Sequence, residues 1–407
     1  MIIYYVLIII SFLIILEILL HLVIFYFRKN FQWLITEKDE YPNFDNIALE
    51  KFFKNSFDKE LGWVRKPNSS GIEKAKHEEI KYYIDDSGSR LISANFTNDP
   101  IIATFGDSYT FCRQVKDNET WQYHLSNKIN SKVFNFGVGN YGIDQALIYY
   151  LRKKLHPSVK IVIMGFVPET ITRIQSYWKH YYEFGNTFAF KPRFTLKNNK
   201  LTLCPNLIKN IDDFKNISEI IDKVKEKDGF YKKKFIKLKF SFPYLFSFFR
   251  NLKRNTILIF SLGRKKIYNL FGIINSTIDN DPFYRIIDFN ISDSHEMYKN
   301  EDDCNLLKHI LLKFKKESYN RNHIPIILLM PQIVDLKKID KNKKNPYGSF
   351  YKEMSKDMHI IDTTKLFLNE DINSLYVEDN YGGHFSEFGN KKIANKVHEY
   401  IYKNILK

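Results

Sequence analysis

Cysteine is scarce: Cys112, Cys204 and Cys304 are the only three in 407 residues. They are odd in number, scattered, and never spaced as C-x-x-C. This excludes a disulfide framework, a structural zinc site and cofactor chemistry through sulfur. No G-x-S-x-G nucleophile elbow, P-loop or H-E-x-x-H pair occurs either, and each absence removes a class of enzyme. No metal and no cofactor is therefore expected. Positive charge is plentiful, with 62 Lys and Arg against 46 Asp and Glu for a net charge of +16. Ile, Asn, Tyr and Phe are abundant too, so the basicity reflects compositional bias as much as a charged partner. Without a recognised binding motif it points to no nucleic acid. A hydrophobic content of 44% beside 27% charged residues excludes wholesale disorder and allows one large domain or two modest ones.

Polar residues are nearly missing from the first stretch, where only Ser11, Glu17 and His21 break the apolar run from Ile2 to Phe27. At 1.5 Å per residue this run covers a hydrocarbon core of about 30 Å. It is too long for a cleaved signal peptide, has no charged leading region and is followed by no A-x-A-like site, so an uncleaved single-pass anchor over residues 1–30 is expected. Glu17 and His21 lie four apart on one helix face, where they would bond each other or a protein partner, or stand as a tolerated polar pair. Arg28 and Lys29 follow the span. The positive-inside rule would then hold the large domain in the cytoplasm, although long translocated domains override so short a signal.

After a polar connector over residues 31–98, β-rich apolar runs alternate with helical patterns. The runs are Ile101 to Phe105, Lys132 to Phe136, Val159 to Gly165, Ile324 to Met330 and His359 to Asp362. Alternation of this kind predicts a parallel sheet with crossover helices. Apolar residues four apart mark the helices: Trp121, Leu125 and Ile129; Leu147, Leu151 and Leu155; Ile393, Val397, Ile401 and Ile405. Asp144 and Ser386 stand where N-caps are expected. Between the third and fourth runs lie about 150 residues, against the two to six usual for such connections, so 177–320 reads as an inserted cap dividing a core of 99–176 and 321–407. Lys232 to Lys239 is basic and apolar, and Phe240 to Phe249 is dominated by aromatics. That surface would suit an ordinary cap with a solvated rim first, and contact with anionic lipid second.

The first run ends in Gly106-Asp107-Ser108, which puts a serine at the carboxyl end of a parallel strand, where open α/β sheets bind ligands. A serine hydroxyl attacks a carbonyl near neutral pH only with a base to take its proton. His384 is available, in the glycine-bearing loop from Asp379 to Asn390 ahead of the last helix. Gly137-Val138-Gly139-Asn140-Tyr141-Gly142 also spells G-x-G-x-x-G between a strand and a helix. A dinucleotide-binding unit would carry an acid at the end of the next strand, and Val162 to Gly165 offers none.

These blocks resemble the SGNH, or GDSL-type, hydrolase superfamily, over about Ile101 to Arg173 and from Ile324 to the end. Gly106-Asp107-Ser108 resembles its first block, Asn135 to Gly142 its second, and His384 the histidine of its last. The resemblance implies a flavodoxin-like three-layer α/β sandwich with a five-stranded parallel sheet, here carrying an N-terminal transmembrane helix and an inserted cap. It implies Ser108 as nucleophile, His384 as general base, and an oxyanion hole supplied by backbone amides of the second block at Gly139 and Asn140. The family's aspartate, three residues before the histidine, is replaced by Tyr381. The nearest acids are Asp379 and Glu378, and a two-residue bulge would bring Asp379 to the ring; otherwise a backbone carbonyl orients His384. The third-block asparagine is absent from Gly165 to Thr170, with Thr170 as the stand-in donor. Losing one such donor costs about 3 to 4 kcal/mol.

The resemblance further implies a membrane-anchored esterase or O-acyltransferase acting on acyl, chiefly acetyl, esters of a cell-surface polysaccharide, with an extracytoplasmic catalytic domain. A degenerate, non-catalytic glycan- or partner-binding module and a lipid esterase are the other readings. Asp107 is expected to hold the Ser108 turn, Arg173 to form a salt bridge, and Cys112 to fill space.

Overall fold

Five buried apolar runs become five strands because each can bury both faces of a pleated ribbon at once. In chain order the principal elements of the computed structural model are helix α1 (Ile2–Phe27), strand β1 (Asn98–Gly106), helix α2 (Ser108–Phe111), α3 (Trp121–Ile129), β2 (Ser131–Gly137), α4 (Ile143–Arg152), β3 (Ile161–Phe166), α5 (Tyr244–Arg250), α6 (Leu252–Leu270), α7 (Glu301–Asn320), β4 (Ile324–Leu329), β5 (His359–Asp362) and α8 (Glu387–Asn404). The structure describes residues 1–27, 33–75, 78–271, 281–377 and 383–406. The chain divides into two compact units.

The larger unit comprises Phe52–Gln175, Lys191–Asn206 and Ile287–Lys407. Its sheet has the order β5-β4-β3-β1-β2, and every neighbouring pair is parallel. Read by sequence this is 2-1-3-4-5, the flavodoxin-like doubly wound order that the sequence resemblance implies. The order reverses between β1 and β3, and the crevice at the carboxyl ends of those two strands is where such sheets take ligands. Phe105, Phe136, Tyr149 and Tyr150 pack together on the sheet, with Phe105 and Phe136 stacked at 5.0 Å. A fully buried side chain of this kind contributes about 1.5 to 3 kcal/mol.

The sequence division into core and cap is redrawn here. Helix α7 and the hairpin Arg193–Lys197/Lys200–Cys204 belong to the sheet-bearing unit although both fall in the 177–320 insertion. Leu306, Leu307, Ile310, Leu311 and Phe314 recur at three- and four-residue spacing along α7 and are buried against the sheet. Much of the connector joins the same unit through the antiparallel hairpin Ser69–Lys74/Glu79–Ile84. Asp144 is not an N-cap: Gly142 takes that place, and Asp144 lies inside α4, fully buried and paired with Lys191 at 2.5 Å. Leu155 lies beyond the end of α4. Ser386 does cap α8, accepting the Gly389 amide at 3.2 Å.

The smaller unit comprises Met1–Lys51, Ser176–Phe190 and Leu207–Ile286. Aromatic residues supply its interior, with Trp178 stacked on Phe190 at 4.6 Å and Phe235 and Phe214 buried nearby. Asp228 ties the chain together there, its carboxylate accepting the amides of Tyr177, Trp178, Phe230 and Tyr231. Within α1, the stretch Ile2–Tyr26 is long and apolar enough to cross a membrane.

Candidate active site

Gly106 ends β1 with φ +153°, and a Cβ there would lie 1.8 Å from the Gly165 carbonyl oxygen. Only glycine lets β1 approach β3 this closely before the chain turns into α2. Asp107 then caps α2, its Oδ1 accepting the Tyr109 amide at 2.8 Å and its Oδ2 the Val167 amide at 3.0 Å. Burial pushes the Asp107 carboxyl up, and the Arg173 guanidinium, 3.2 Å away, opposes that rise. Asp107 thus fixes the turn that presents Ser108, the first residue of α2, at the carboxyl end of β1.

His384 is brought to this turn by the residue next to the serine. The Tyr109 hydroxyl donates to the Gly383 carbonyl at 3.0 Å, and the Tyr109 ring lies 4.8 Å from the imidazole. Gln114 then holds the histidine: its Oε1 lies 3.0 Å from the His384 backbone N and 3.0 Å from Nδ1. A backbone N–H can only donate, so the Gln114 atom facing it is the carbonyl oxygen, and the ring nitrogen facing the same oxygen must carry hydrogen. That leaves Nε2 with its lone pair free to take a proton. Burial holds the His384 pKa well below the ordinary value, and the Arg113 and Arg173 guanidinium groups push it in the same direction. The side chain is therefore neutral near neutral pH. Among the described residues, the Ser108 hydroxyl makes no hydrogen bond to His384.

Sequence reasoning missed Gln114. It sits at φ +68° beyond α2, and its Nε2 donates to the Lys74 carbonyl at 3.2 Å. No motif marks a neutral amide as a histidine partner, and the only available signal was its closeness to Ser108 in the chain. Asp379 and Glu378 lie outside the described residues.

The second block forms a tight turn, closed by the Tyr141 amide on the Val138 carbonyl at 3.3 Å. Asn140 sits at its third position with φ +68°, a left-handed conformation that Asn tolerates. Among the described residues, neither the Gly139 nor the Asn140 amide N–H finds an acceptor, while the Gly139 carbonyl accepts the Trp63 indole at 2.9 Å. The Thr170 hydroxyl is fully buried and accepts the Ile143 amide at the start of α4 at 3.0 Å, which leaves its O–H to donate. The third block also contributes a buried ionic bridge. Arg173 joins Asp107 at 3.2 Å, Glu169 at 2.9 Å and the Tyr141 carbonyl at 3.2 Å, linking all three blocks.

Cys112 is buried with its thiol pushed up to about 12 by desolvation, which leaves it inert as a nucleophile. His180, His323 and His156 have partners of their own, the Asp39 carbonyl, the Tyr150 hydroxyl and the Ser158 hydroxyl. Among the described residues no cluster of three His, Cys, Asp or Glu could hold a metal ion.

No family profile and no curated protein matches this chain. Solved structures do. It is similar to a putative lipolytic protein of the G-D-S-L family from Desulfitobacterium hafniense, at 10% identity over 74% of this chain and 98% of that one, with a TM-score of 0.34. It is also similar to a member of the lipolytic protein G-D-S-L family from Veillonella parvula, at 11% identity over 76% of this chain and 100% of that one, with a TM-score of 0.34.

Proposed function

We propose that this chain is a membrane-anchored serine esterase or acyltransferase in which Ser108, His384 and Gln114 form the reacting group. The observation that carries the reading is the double hydrogen bond from His384 to Gln114 Oε1, because it leaves a neutral imidazole with Nε2 unprotonated in the loop tied to Tyr109. In the reaction the Ser108 hydroxyl attacks an ester carbonyl carbon while Nε2 takes its proton. The amides of Gly139 and Asn140 donate to the oxyanion of the tetrahedral intermediate. The intermediate collapses, the alkoxide leaves with the proton from Nε2, and the acyl group stays on Ser108 Oγ. Water, or an acceptor hydroxyl, then attacks the acyl carbon as Nε2 takes its proton, and on collapse Nε2 returns that proton to Ser108 Oγ as the acyl group leaves on the acceptor oxygen.

Gln114 occupies the Nδ1 side of the ring in this reading, the place that Asp379 was expected to fill. It orients the imidazole but brings no charge to stabilise imidazolium, so turnover is slower than with a carboxylate. The substrate class is an acyl ester, acetyl in the first instance, of a cell-surface polysaccharide, and the α1 anchor holds the catalytic unit on the extracytoplasmic side.

The test is hydrolysis of an activated acetyl ester by the full chain in detergent, with Ser108→Ala and His384→Ala. Both changes should lower kcat by at least about a thousandfold. Turnover unaffected by either removes Ser108 from the chemistry. A second reading, a non-catalytic glycan-binding module, is favoured by the uncharged Gln114 and by the missing hydrogen bond between Ser108 and His384. A folded chain with no turnover supports it.

A further inference from the structure

Glu17 lies inside the apolar run of α1, where a carboxylate facing hydrocarbon is costly and needs a partner. Its partners are the first backbone amides of α5: Oε1 accepts the Tyr244 N–H, and Oε2 accepts the Leu245 N–H at 2.8 Å. His21, one turn further along the same face, has its ring 5.6 Å from the Tyr244 ring. The free amides of a helix start and a carboxylate, each expensive in lipid, satisfy each other. At 1.5 Å per residue Glu17 is about 14 Å from the end of the apolar run at Tyr26. Whatever surrounds α1 at that level therefore surrounds α5 as well.

The surface of α5 and α6 suits such surroundings. Phe242, Phe246 and Phe249 are exposed around α5, with Phe246 66% accessible. Along α6, Leu252, Ile259, Ile267 and Leu270 are exposed at helical spacing that puts them on one face, beside Phe260 at 73%. Soluble surfaces rarely leave so many large apolar groups contiguous. Between residues 232 and 271 there are eleven Lys and Arg and no Asp or Glu. An exposed apolar helix face flanked by Lys and Arg is the pattern of a helix lying in a membrane interface.

We infer that α5 and α6 form a second membrane-inserting element beside α1, with the exposed Phe and Ile side chains in the acyl region and the basic residues at anionic headgroups. This rests on the reading of α1 as a membrane anchor. It assigns the aromatic, basic stretch to the lipid bilayer and makes the Glu17 contact the joint that holds it at depth. A chain built this way is seated in the membrane over a broad area and does not hang from a single tether.

The experiment places tryptophan in the full-length chain, reconstituted in discs of phosphatidylcholine and phosphatidylglycerol whose acyl chains are brominated or not. Single variants Phe246→Trp, Phe260→Trp, Leu13→Trp in α1 and Tyr402→Trp in α8 are compared with wild type by difference emission. Emission added at 246 and 260 should fall to less than about half in brominated discs, as at 13, while that at 402 stays unchanged. Replacing phosphatidylglycerol by phosphatidylcholine should weaken quenching at 260; equal quenching in both overturns the headgroup assignment. Quenching at 13 but not at 246 or 260 overturns the inference and leaves the anchor standing. Loss of quenching at 13 overturns the anchor itself. Shielding of 246 and 260 from acrylamide without bromolipid quenching, in a chain that runs as a dimer, gives the surface to a second copy and also overturns the inference.

Discussion

Replacing Gln114 by Glu tests the site at a single atom. The oxygen that accepts both His384 N–H groups at 3.0 Å is kept, so those two hydrogen bonds survive, while the one from Gln114 Nε2 to the Lys74 carbonyl is lost and the acceptor now carries charge. For a charge 3 to 4 Å from an imidazolium, at an effective dielectric of about 20, the attraction is about 4 to 6 kcal/mol, equivalent to about three to four pKa units before solvent screening reduces it. In the wild type, burial and two guanidinium groups hold the imidazole neutral. The variant's pKa is raised relative to that state. The acidic limb of kcat/KM against pH should therefore move upward by about one to three units. On the plateau above it the rate should increase, because the carboxylate stabilises the imidazolium formed as Ser108 loses its proton. The assay is activated acetyl ester hydrolysis across the acidic and neutral range, with thermal melting as the check on folding. An unmoved limb in a variant that melts like wild type refutes the Gln114 contact and the tautomer deduced from it.

Gly106→Ala should cost at least about 3 kcal/mol of stability and abolish turnover, since a Cβ would meet the Gly165 carbonyl at 1.8 Å; chemical denaturation with a wild-type midpoint contradicts the close approach of β1 and β3. Leu311→Ala should destabilise by about 2 to 5 kcal/mol, as a fully buried residue of the sheet core, whereas a surface helix would lose almost nothing in the same measurement. His180 is held neutral by burial, with its pKa lowered to about 4, while its Nε2 meets the Asp39 carbonyl at 2.8 Å. A depressed histidine pKa gives stability that is complete above the ordinary value of about 6.5 and is lost as pH falls toward about 4, a loss of about 3 kcal/mol. Urea denaturation at neutral and acid pH should show it, and His180→Gln should flatten it; an equally steep pH dependence in that variant assigns the loss to other groups.

The strands of the sheet were legible because parallel strands buried on both faces read as unbroken apolar runs bounded by turns. Ser108 and His384 were singled out from short motifs at strand and helix ends, and the structure places them on neighbouring segments through Tyr109 and Gln114. What stayed hidden depended on distance through the fold. Asp144 has an N-cap's sequence context, but its partner is Lys191 on a segment far along the chain. Thr170 also accepts the Ile143 amide, a contact its own segment does not reveal. Helix α7 was assigned to the insertion by its position in the chain, although its own apolar spacing marks it as a core helix. Gln114 left only its closeness to Ser108 in the chain as a signal, since no motif marks a neutral amide on a left-handed backbone as a histidine partner.

The segment from Gly106 to Gln114 has a consequence for how such chains are inherited and found. It holds the proposed nucleophile, the capping carboxylate that presents it, the tyrosine that draws in the distant loop and the amide that orients the base. Among the described residues the imidazole comes from the far end of the sequence, and its loop contributes to the grip through main-chain atoms, the Gly383 carbonyl and the His384 N–H. A sequence pattern that demands an acid three residues before the histidine passes over a chain organised this way, whereas one that joins Gly-Asp-Ser to a glutamine six residues after the serine picks it out.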